Sequence, residues 1–336
     1  MIRTIYVESS VRDHPRTSEI LRRFPEVSVV EIGRYGEVFN RRGQTFRLQK
    51  QSPALILAAK HERFVHAAPP GYGVGGGCNY YFSHMLNCIY DCRYCFLQGM
   101  FQSAAWVVFV NFEEFAREIE TVAAKDASCR PFFFSGYDCD SLAFDAVTGF
   151  AGFFLDTFER LGDAWLELRT KSTRVEPLLE RPALDNCVVA FSFTSRRTGA
   201  ALEGGVPSLD ARLAAMQKLQ AAGWKVGLRF DPLIYQEGWA DSYRRLFDDV
   251  FGALDTASIH SVSVGAFRLP RDFYRRVVRL YPEERLFASP LSDRDGMVSY
   301  RGDIHDELLG FCSEEVLKHI PEDRFFPCLE SGEASL

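Results

Sequence analysis

The chain has 336 residues, of which 47% are hydrophobic and 25% charged, an ordinary balance for a globular protein with room for about two domains or one large α/β barrel. No apolar stretch of about 18 residues is present, so no membrane span is expected. The opening MIRTIYVESSVRDHPR has no apolar signal region, which makes the cytoplasm the expected location. The formal net charge of -6 argues against non-specific adhesion to nucleic acid, although residues 1–70 hold 12 Lys and Arg against 7 Asp and Glu.

In chain order, residues 1–70 read as a small N-terminal α/β subdomain, with strands RTIYVES and VSVVEIG around a short helix near SEILRRF. A strand is expected within GVGGGCNYYF (73–82), leading into a cysteine-rich loop. The three successive glycines there argue for close backbone approach to a ligand or for a tight turn. VVFVN (107–111) is a short extended run. Asn111, with Glu114 three residues on, has the form of an N-cap. It opens a helix with Phe112, Phe115, Ile119 and Val122 on one face. PFFFSG (131–136) reads as a buried strand, and Val147, Phe150, Phe154 and Leu161 then follow one helical stripe that Gly162 ends. Four more strands are expected in WLELRTK (165–171), CVVAFSFTS (187–195), KVGLRFDPLI (225–234) and SIHSVSVGAF (258–267). Between the second and third of these, SLDARLAAMQKLQAAG (208–223) is a Ser-capped helix with a closing glycine.

Strands alternating with helices imply βαβ units and a parallel sheet. Six units imply an α/β fold, a partial (β/α)6 barrel over residues 71–285, followed by a C-terminal extension over 286–336. Active sites of such folds gather at the C-terminal strand ends. The cysteine loop, residues 138–141, Lys171, residues 194–195 and residues 231–232 all fall there. In FRLPRDFYRRVVRLYP, Arg268, Arg271, Arg275 and Arg279 are spaced by 3, 4 and 4, one face of a helix and a candidate contact for DNA. A solvated helix face gives the same pattern.

Nine cysteines are present, and three of them lie within eight residues in CIYDCRYCF (88–96). Such packing favours reduced thiolates serving a metal over a disulfide frame. A structural zinc site wants four ligands, and the fourth would have to be Cys78, His84 or a distant residue. Three thiolates on an iron–sulfur cubane leave one iron open to a substrate or cofactor. Cys78 and His84 read as structural residues near the mouth of the loop. Cys129, Cys187, Cys312 and Cys328 show no pairing pattern. Two isolated cysteines near the end, Cys312 and Cys328, are too few to define a second metal site.

The spacing Cys88-x3-Cys92-x2-Cys95 followed by Phe96 resembles the signature of radical S-adenosylmethionine (SAM) enzymes. NCIYDCRYCFLQG is more narrowly similar to the cluster loop of the spore photoproduct lyase family. RTIYVE, LRTKS (168–172), VAFSFTS (189–195), VPSLDARLAAMQKLQAAGWKVG (206–227) and DPLIYQEGWADSYRRLF (231–247) match that family in order, so the resemblance spans nearly the whole chain. It implies a six-unit partial radical SAM barrel and a [4Fe-4S] cluster on Cys88, Cys92 and Cys95, with S-adenosyl-L-methionine chelated at the open iron. One-electron reduction, by a donor such as flavodoxin or ferredoxin, then gives a 5'-deoxyadenosyl radical that reverses a thymine photoproduct in DNA. By the same resemblance, Phe96 lies where the backbone approaches adenine, and Lys171 meets the SAM carboxylate. Ser192 contacts the methionine end, and Asp231 approaches SAM through its backbone.

Two positions depart from the family. Its cluster cysteine stands between two tyrosines thought to relay a radical, whereas here Tyr94 keeps the first and Phe96 replaces the second. Its hydrogen-donating cysteine falls on Tyr137, with Cys139 two residues later on the same face of an extended chain. The Asp231 carboxylate and nearby Arg229 are also new, and are expected to pair with each other or to meet a different substrate. Two readings stay open: repair of a photoproduct in DNA, or the same chemistry on another nucleotide or small molecule. Net charge, Phe96 and the displaced Cys139 favour the second, and the resemblance favours the first. A cluster or zinc protein without turnover is the remaining class, and Lys171 and Ser192 in register with the cysteines speak against it.

Overall fold

Val, Ile, Phe and Tyr fill the strand segments, since branched and aromatic side chains suit a pleated, packed surface. In the computed structural model, which describes residues 2–69, 71–74, 78–125 and 128–328, these segments form two main sheets. In the first, Thr4–Glu8 lies between Ser28–Ile32 and Leu55–Ala58, all parallel. Leu55–Ala58 then pairs with Trp106–Phe109, and Met85–Leu86 closes the order antiparallel. The extended run at 107–111 thus joins this N-terminal sheet.

The second sheet is the partial barrel. Its six parallel strands are Asn79–Phe82, Phe132–Ser135, Trp165–Thr170, Cys187–Ser192, Lys225–Leu233 and Ile259–Ala266, neighbours in chain order. Both outer edges are covered, as unpaired strand edges require. Val65–Ala67 pairs antiparallel with the first strand. Along the sixth, the amides of Phe326 and Cys328 donate to the carbonyls of Val262 (2.9 Å) and Val264 (2.8 Å). Outward-facing Phe82 and Phe133 pack under Phe112, Phe115, Phe150, Phe154 and Phe158 from the covering helices, all fully buried. No helix among the described residues is long and apolar enough to cross a membrane.

Several local expectations change. Asn111 does precede the helix Phe112–Ala123, but its side chain accepts from the Lys60 amide and donates to the Lys60 carbonyl, so it ties two segments together instead of capping. The stripe from Val147 to Leu161 is two helices, Asp145–Thr148 and Phe150–Leu161, broken at Gly149, whose φ of 63° is a left-handed conformation that favours glycine. Ser208 caps the helix Leu209–Ala221 as expected, accepting from the Ala211 amide. Cys78 and Cys129 are joined as a disulfide, a pairing with no local signal in a chain whose two cysteines stand 51 residues apart.

The arginine stripe is corrected as well. The helix is Arg271–Leu280, and Arg268 lies before it in the strand Arg268–Pro270, part of a small antiparallel sheet with Leu291–Arg294 and Met297–Tyr300. A strand residue does not share a helix face, and Arg268 turns inward to Asp231. Arg271 is paired with Asp293 and Arg275 with Asp272. The helix instead packs on the short helix Leu97–Met100, where Arg276 donates to the carbonyls of Gly99 and Met100, each at 3.1 Å. A Cβ at Gly99 would overlap the Phe273 carbonyl, so glycine permits this close crossing.

Strand alternation and register place Glu167, Arg169, Ala190, Gly227, Arg229, Ser261 and Ser263 on the barrel's inner face. Arg229 does not pair with Asp231. Its Nη2 and Nε donate to Glu167 at 2.6 and 3.2 Å, and Arg169 Nε donates to the same carboxylate at 3.0 Å. Ser261 accepts from Arg229 through both its hydroxyl and its carbonyl. Burial alone would raise the Glu167 carboxyl, but the two guanidiniums prevail and hold it at about 2, below its ordinary 4.5.

A depressed carboxyl stabilises the fold above its unfolded value and loses that contribution as pH falls through the folded one. The loss therefore lies between pH 4.5 and about 2, and its size is on the order of 3 kcal/mol. Glu167→Gln should destabilise the protein by about that amount at pH 7, because Arg229 is left buried without its counter-charge. Urea unfolding of the variant should show a flatter acid limb than that of the unmutated protein; an identical limb would remove Glu167 from the acid response.

Candidate active site

A cavity of about 540 Å3 opens at the C-terminal ends of the barrel strands, between the cysteine loop and the small antiparallel sheet. Cys88, Cys92, Cys95, Tyr94, Phe96, Tyr137, Cys139, Lys171, Ser192 and Asp231 all line it, as does Arg268. The expected site residues therefore converge from four strand ends and one loop. Residues 194–195 do not line it; Ser195 instead caps the helix Arg196–Leu202 by accepting from the Thr198 amide.

The cysteine loop is held open by its neighbours. Asn87, at a φ of 65°, donates to the carbonyls of Ser103 (2.8 Å) and Ala105 (2.7 Å), fixing the chain just before the first thiol. Lys50 donates to the carbonyls of Cys88 (3.4 Å) and Tyr90 (3.0 Å). Cys92 pairs in a short antiparallel bridge with Glu203, and the Arg93 amide donates to Leu202 O at 2.9 Å. The three thiols line one cavity, and among the described residues no three His, Cys, Asp or Glu side chains are placed to hold a single ion. A cubane does not need three thiolates on one ion, because each iron takes its own thiolate. Burial pushes all three thiols up, Cys88 to about 12, so without a metal they would keep their protons. The donor set fits an iron–sulfur cluster.

Beyond the thiols, Lys171 extends from the end of the third strand on the face that carries Glu167 and Arg169. Its amide donates to Asp140 Oδ2 at 2.6 Å, and Asp140 also accepts from Thr170 and from the amides of Leu142 and Ala143. The Lys171 ammonium lies 3.9 Å from Glu203 Oε1 and 5.8 Å from the Tyr94 ring centroid. Buried Glu203 also accepts from the Tyr94 hydroxyl and from Arg212 at 2.9 Å, while Arg212 holds the Ser192 carbonyl at 2.7 Å. One carboxylate thus links Tyr94, Lys171 and, through Arg212, Ser192. Nothing in its sequence setting marked Glu203, because the link is made across three strands and a helix.

The aromatic side of the cavity is a ladder: His66 on Tyr81 at 5.0 Å, Tyr81 on Tyr137 at 4.4 Å, and Tyr137 tilted against Phe96 at 5.3 Å. Tyr137 is partly exposed to the cavity, and burial pushes its phenol up to about 12, so it keeps its hydrogen. Cys139 is buried against the N-terminal sheet, its thiol 4.0 Å from Nδ1 of His84. His84 stacks on Phe150 at 3.7 Å, and burial lowers its imidazole to about 3, which leaves it neutral at ordinary pH. Cys328, unassigned from sequence, also reaches the cavity, whereas Cys187 and Cys312 are core residues. The three glycines at 75–77 lie outside the described residues.

Comparison with known proteins gives the family and the fold. The family model described as spore photoproduct lyase matches residues 3–289. The spore photoproduct lyase of Bacillus subtilis (strain 168) is 23% identical over 290 residues, covering 84% of this chain and 83% of that protein. The spore photoproduct lyase of Geobacillus sp. (strain Y412MC61) is 22% identical over 289 residues, with the same coverage. A solved spore photoproduct lyase variant with bound AdoMet and dinucleoside spore photoproduct superposes with a TM-score of 0.86 at 21% identity, over 98% of this chain and 99% of that one. Another, complexed with dinucleoside spore photoproduct, gives 0.84 at 20% identity, over 98% of each chain. With the model matching from residue 3 to residue 289, this chain belongs to the spore photoproduct lyase family.

Proposed function

We propose that this chain is a radical SAM lyase that reverses a thymine photoproduct in DNA. The observation that carries this reading is the meeting of three cysteines at cluster spacing with Lys171 and Ser192 in one cavity of a chain from this family. Cys88, Cys92 and Cys95 would hold a [4Fe-4S] cluster, and Lys171 and Ser192 would hold S-adenosyl-L-methionine beside it; reduced by one electron, the two together would supply the 5'-deoxyadenosyl radical chemistry that removes a hydrogen atom from the photoproduct.

The chain's own residues do the rest. Lys171 offers a charge-assisted contact to the SAM carboxylate, and the Glu203 carboxylate at 3.9 Å keeps that ammonium aimed. Ser192 lies at the methionine end, its strand end fixed by Arg212. Phe96 and the backbone beside it face the adenine. Tyr94 keeps its O–H, because burial raises its phenol and Glu203 accepts from it. After the dimer splits, a thymine-centred radical needs one hydrogen atom, and the weak S–H bond of Cys139 makes it the favoured donor, with Tyr137 the phenol at the family's aligned position. DNA must present the lesion extruded from the duplex, which costs a few kcal/mol and less at a damaged step. Arg271, Arg275 and Arg279 stand on the helix that packs against the cluster loop, and are the candidate contacts to the DNA backbone. An electron donor of the flavodoxin or ferredoxin type supplies the reducing electron.

Anaerobic reconstitution should give about four irons per chain, and Cys92→Ala should lose the cluster absorption. Tight uptake of one zinc without sulfide would overturn the assignment.

Lys171→Ala should retain the irons but weaken SAM binding by roughly tenfold to a hundredfold, the worth of a hydrogen bond to a charged group. Calorimetry giving unchanged affinity would reduce Lys171 to a partner of Glu203.

With photoproduct dinucleotide, Cys139→Ala should divert product into radical adducts detectable by mass spectrometry. Clean repair in that variant, with adducts appearing in Tyr137→Phe, would move hydrogen return to the phenol. SAM cleavage without repair by the unmutated protein would favour a different substrate, the reading that net charge, Phe96 and the displaced Cys139 favour.

A further inference from the structure

The reading above needs one electron from a partner protein and leaves its port of entry unassigned. The cavity is filled by substrate and cofactor during the reaction, so a carrier must reach the cysteine loop from outside. One short helix, Phe46–Gln51, backs that loop. Its inner side faces the site: Phe46 and Lys50 line the cavity, and Lys50 donates to the Cys88 carbonyl at 3.4 Å. Its outer side carries Arg47 and Leu48, both exposed. Leu48, at 64% exposed, is the barest large hydrophobic side chain among the described residues.

The turn before the helix adds Arg41 and Arg42, both exposed. Gln44 fixes this turn by accepting from the Arg41 amide at 2.9 Å and donating to the Val38 carbonyl at 2.7 Å. Asn40 ties it to the segment after the cysteine loop, accepting from the Gln102 amide at 2.8 Å. Residues 40–51 hold four Lys and Arg and no Asp or Glu, in a chain of net charge -6. Among the described residues no carboxylate forms an ion pair with Arg41, Arg42 or Arg47, whereas Lys50 and Arg93 are engaged by Asp91 and Glu284. The patch meets the loop a second time, since the guanidiniums of Arg47 and Arg93 lie 5.6 and 5.4 Å from the Tyr281 ring centroid, and Arg93 directly follows Cys92.

We propose that Arg41, Arg42, Arg47 and Leu48 form the docking surface for a small acidic one-electron carrier protein that reduces the cluster. This rests on the radical SAM reading and deepens it. One electron passes from the reduced carrier, which is left oxidised by one, and no bond or proton changes hands. A helix with its side chains is about 10 Å across, so a carrier docked here stands about one helix diameter from Cys88. Electron-transfer encounters are small contacts, and a patch of this extent suffices. Guanidiniums without counter-charges draw an acidic partner and speed its arrival. DNA is acidic too, but phosphates would use the charges and leave Leu48 in water, whereas an apolar centre within a charged rim suits a protein.

The test measures association of flavodoxin, and separately of ferredoxin, with the anaerobically reconstituted full chain by surface plasmon resonance at low and high salt. Reversing the three arginines (Arg41→Glu, Arg42→Glu, Arg47→Glu) should slow association at low salt by roughly tenfold or more, the size of a steering effect. High salt should remove most of that difference. Arg42→Glu alone, away from the helix, should slow association by a smaller factor, and Leu48→Ala should speed dissociation by roughly tenfold. Iron content, and SAM cleavage driven by photoreduced deazaflavin, which needs no docking, should stay as in the unmutated protein. Unchanged carrier association in the triple reversal would overturn the proposal. So would the absence of carrier binding by an unmutated protein that cleaves SAM with deazaflavin, and the radical SAM reading would then stand. If the reversal weakened binding of a photoproduct-bearing oligonucleotide while carrier association held, the patch would be a DNA contact and the proposal overturned. No SAM cleavage with deazaflavin by the unmutated protein would overturn the functional reading and this role with it.

Discussion

The carboxylate of Glu167, enclosed by the guanidiniums of Arg229 and Arg169, organises the inside of the barrel. A charge without solvent must be paired and hydrogen-bonded, and here the third and fifth strands supply the partners. Arg229 also binds the backbone and hydroxyl of Ser261, so the third, fifth and sixth strands are tied at one level. Since side chains repeat every second residue along a strand, fixing Glu167 inward also turns Arg169 and Lys171 inward, and fixing Arg229 does the same for Asp231. The polar wall of the cavity follows from the buried pair beneath it.

Above that level a second carboxylate, Glu203, organises the cluster side. It contacts Tyr94 from the cysteine loop, Lys171 from the third strand and Arg212 from a covering helix, and its backbone pairs with Cys92. Movement of any one of these would disturb the others. The helix Arg271–Leu280 is joined to the same loop on its outer side through Arg276 and the close approach at Gly99. A ligand that settled on this helix would press on the segment that follows Cys95.

Elements outside the six barrel units complete the enclosure. Tyr72 comes from the segment before the first barrel strand, Arg268 and Met297 from the small antiparallel sheet, and Cys328 from the segment that covers the sixth strand's edge. The backbone bonds that protect the edge also carry the Cys328 thiol to the cavity. Covering the edge and lining the site are one structural event.

The sequence by itself determined the alternation of strands and helices, the six barrel units and the loop with three thiols, because each is written in local spacing: period two for strands, a stripe for helices, fixed intervals for ligands. It also determined which strand ends meet, since parallel βα units bring their C-terminal ends to one side. Partner choice was not local. Arg229 and Asp231, two residues apart, share a face and were natural partners on paper, yet Arg229 meets Glu167 and Asp231 meets Arg268, because a buried charge pairs across strands with whatever stands at its depth. Asn111 had the form of a cap, but Lys60 offered both a donor and an acceptor. Arg268 fitted a helical spacing, but the chain was still a strand there. The disulfide between Cys78 and Cys129, the hub at Glu203 and the arrival of Cys328 all join residues distant in the chain. No window of sequence contains them, and only the packed fold brings their atoms within bonding distance.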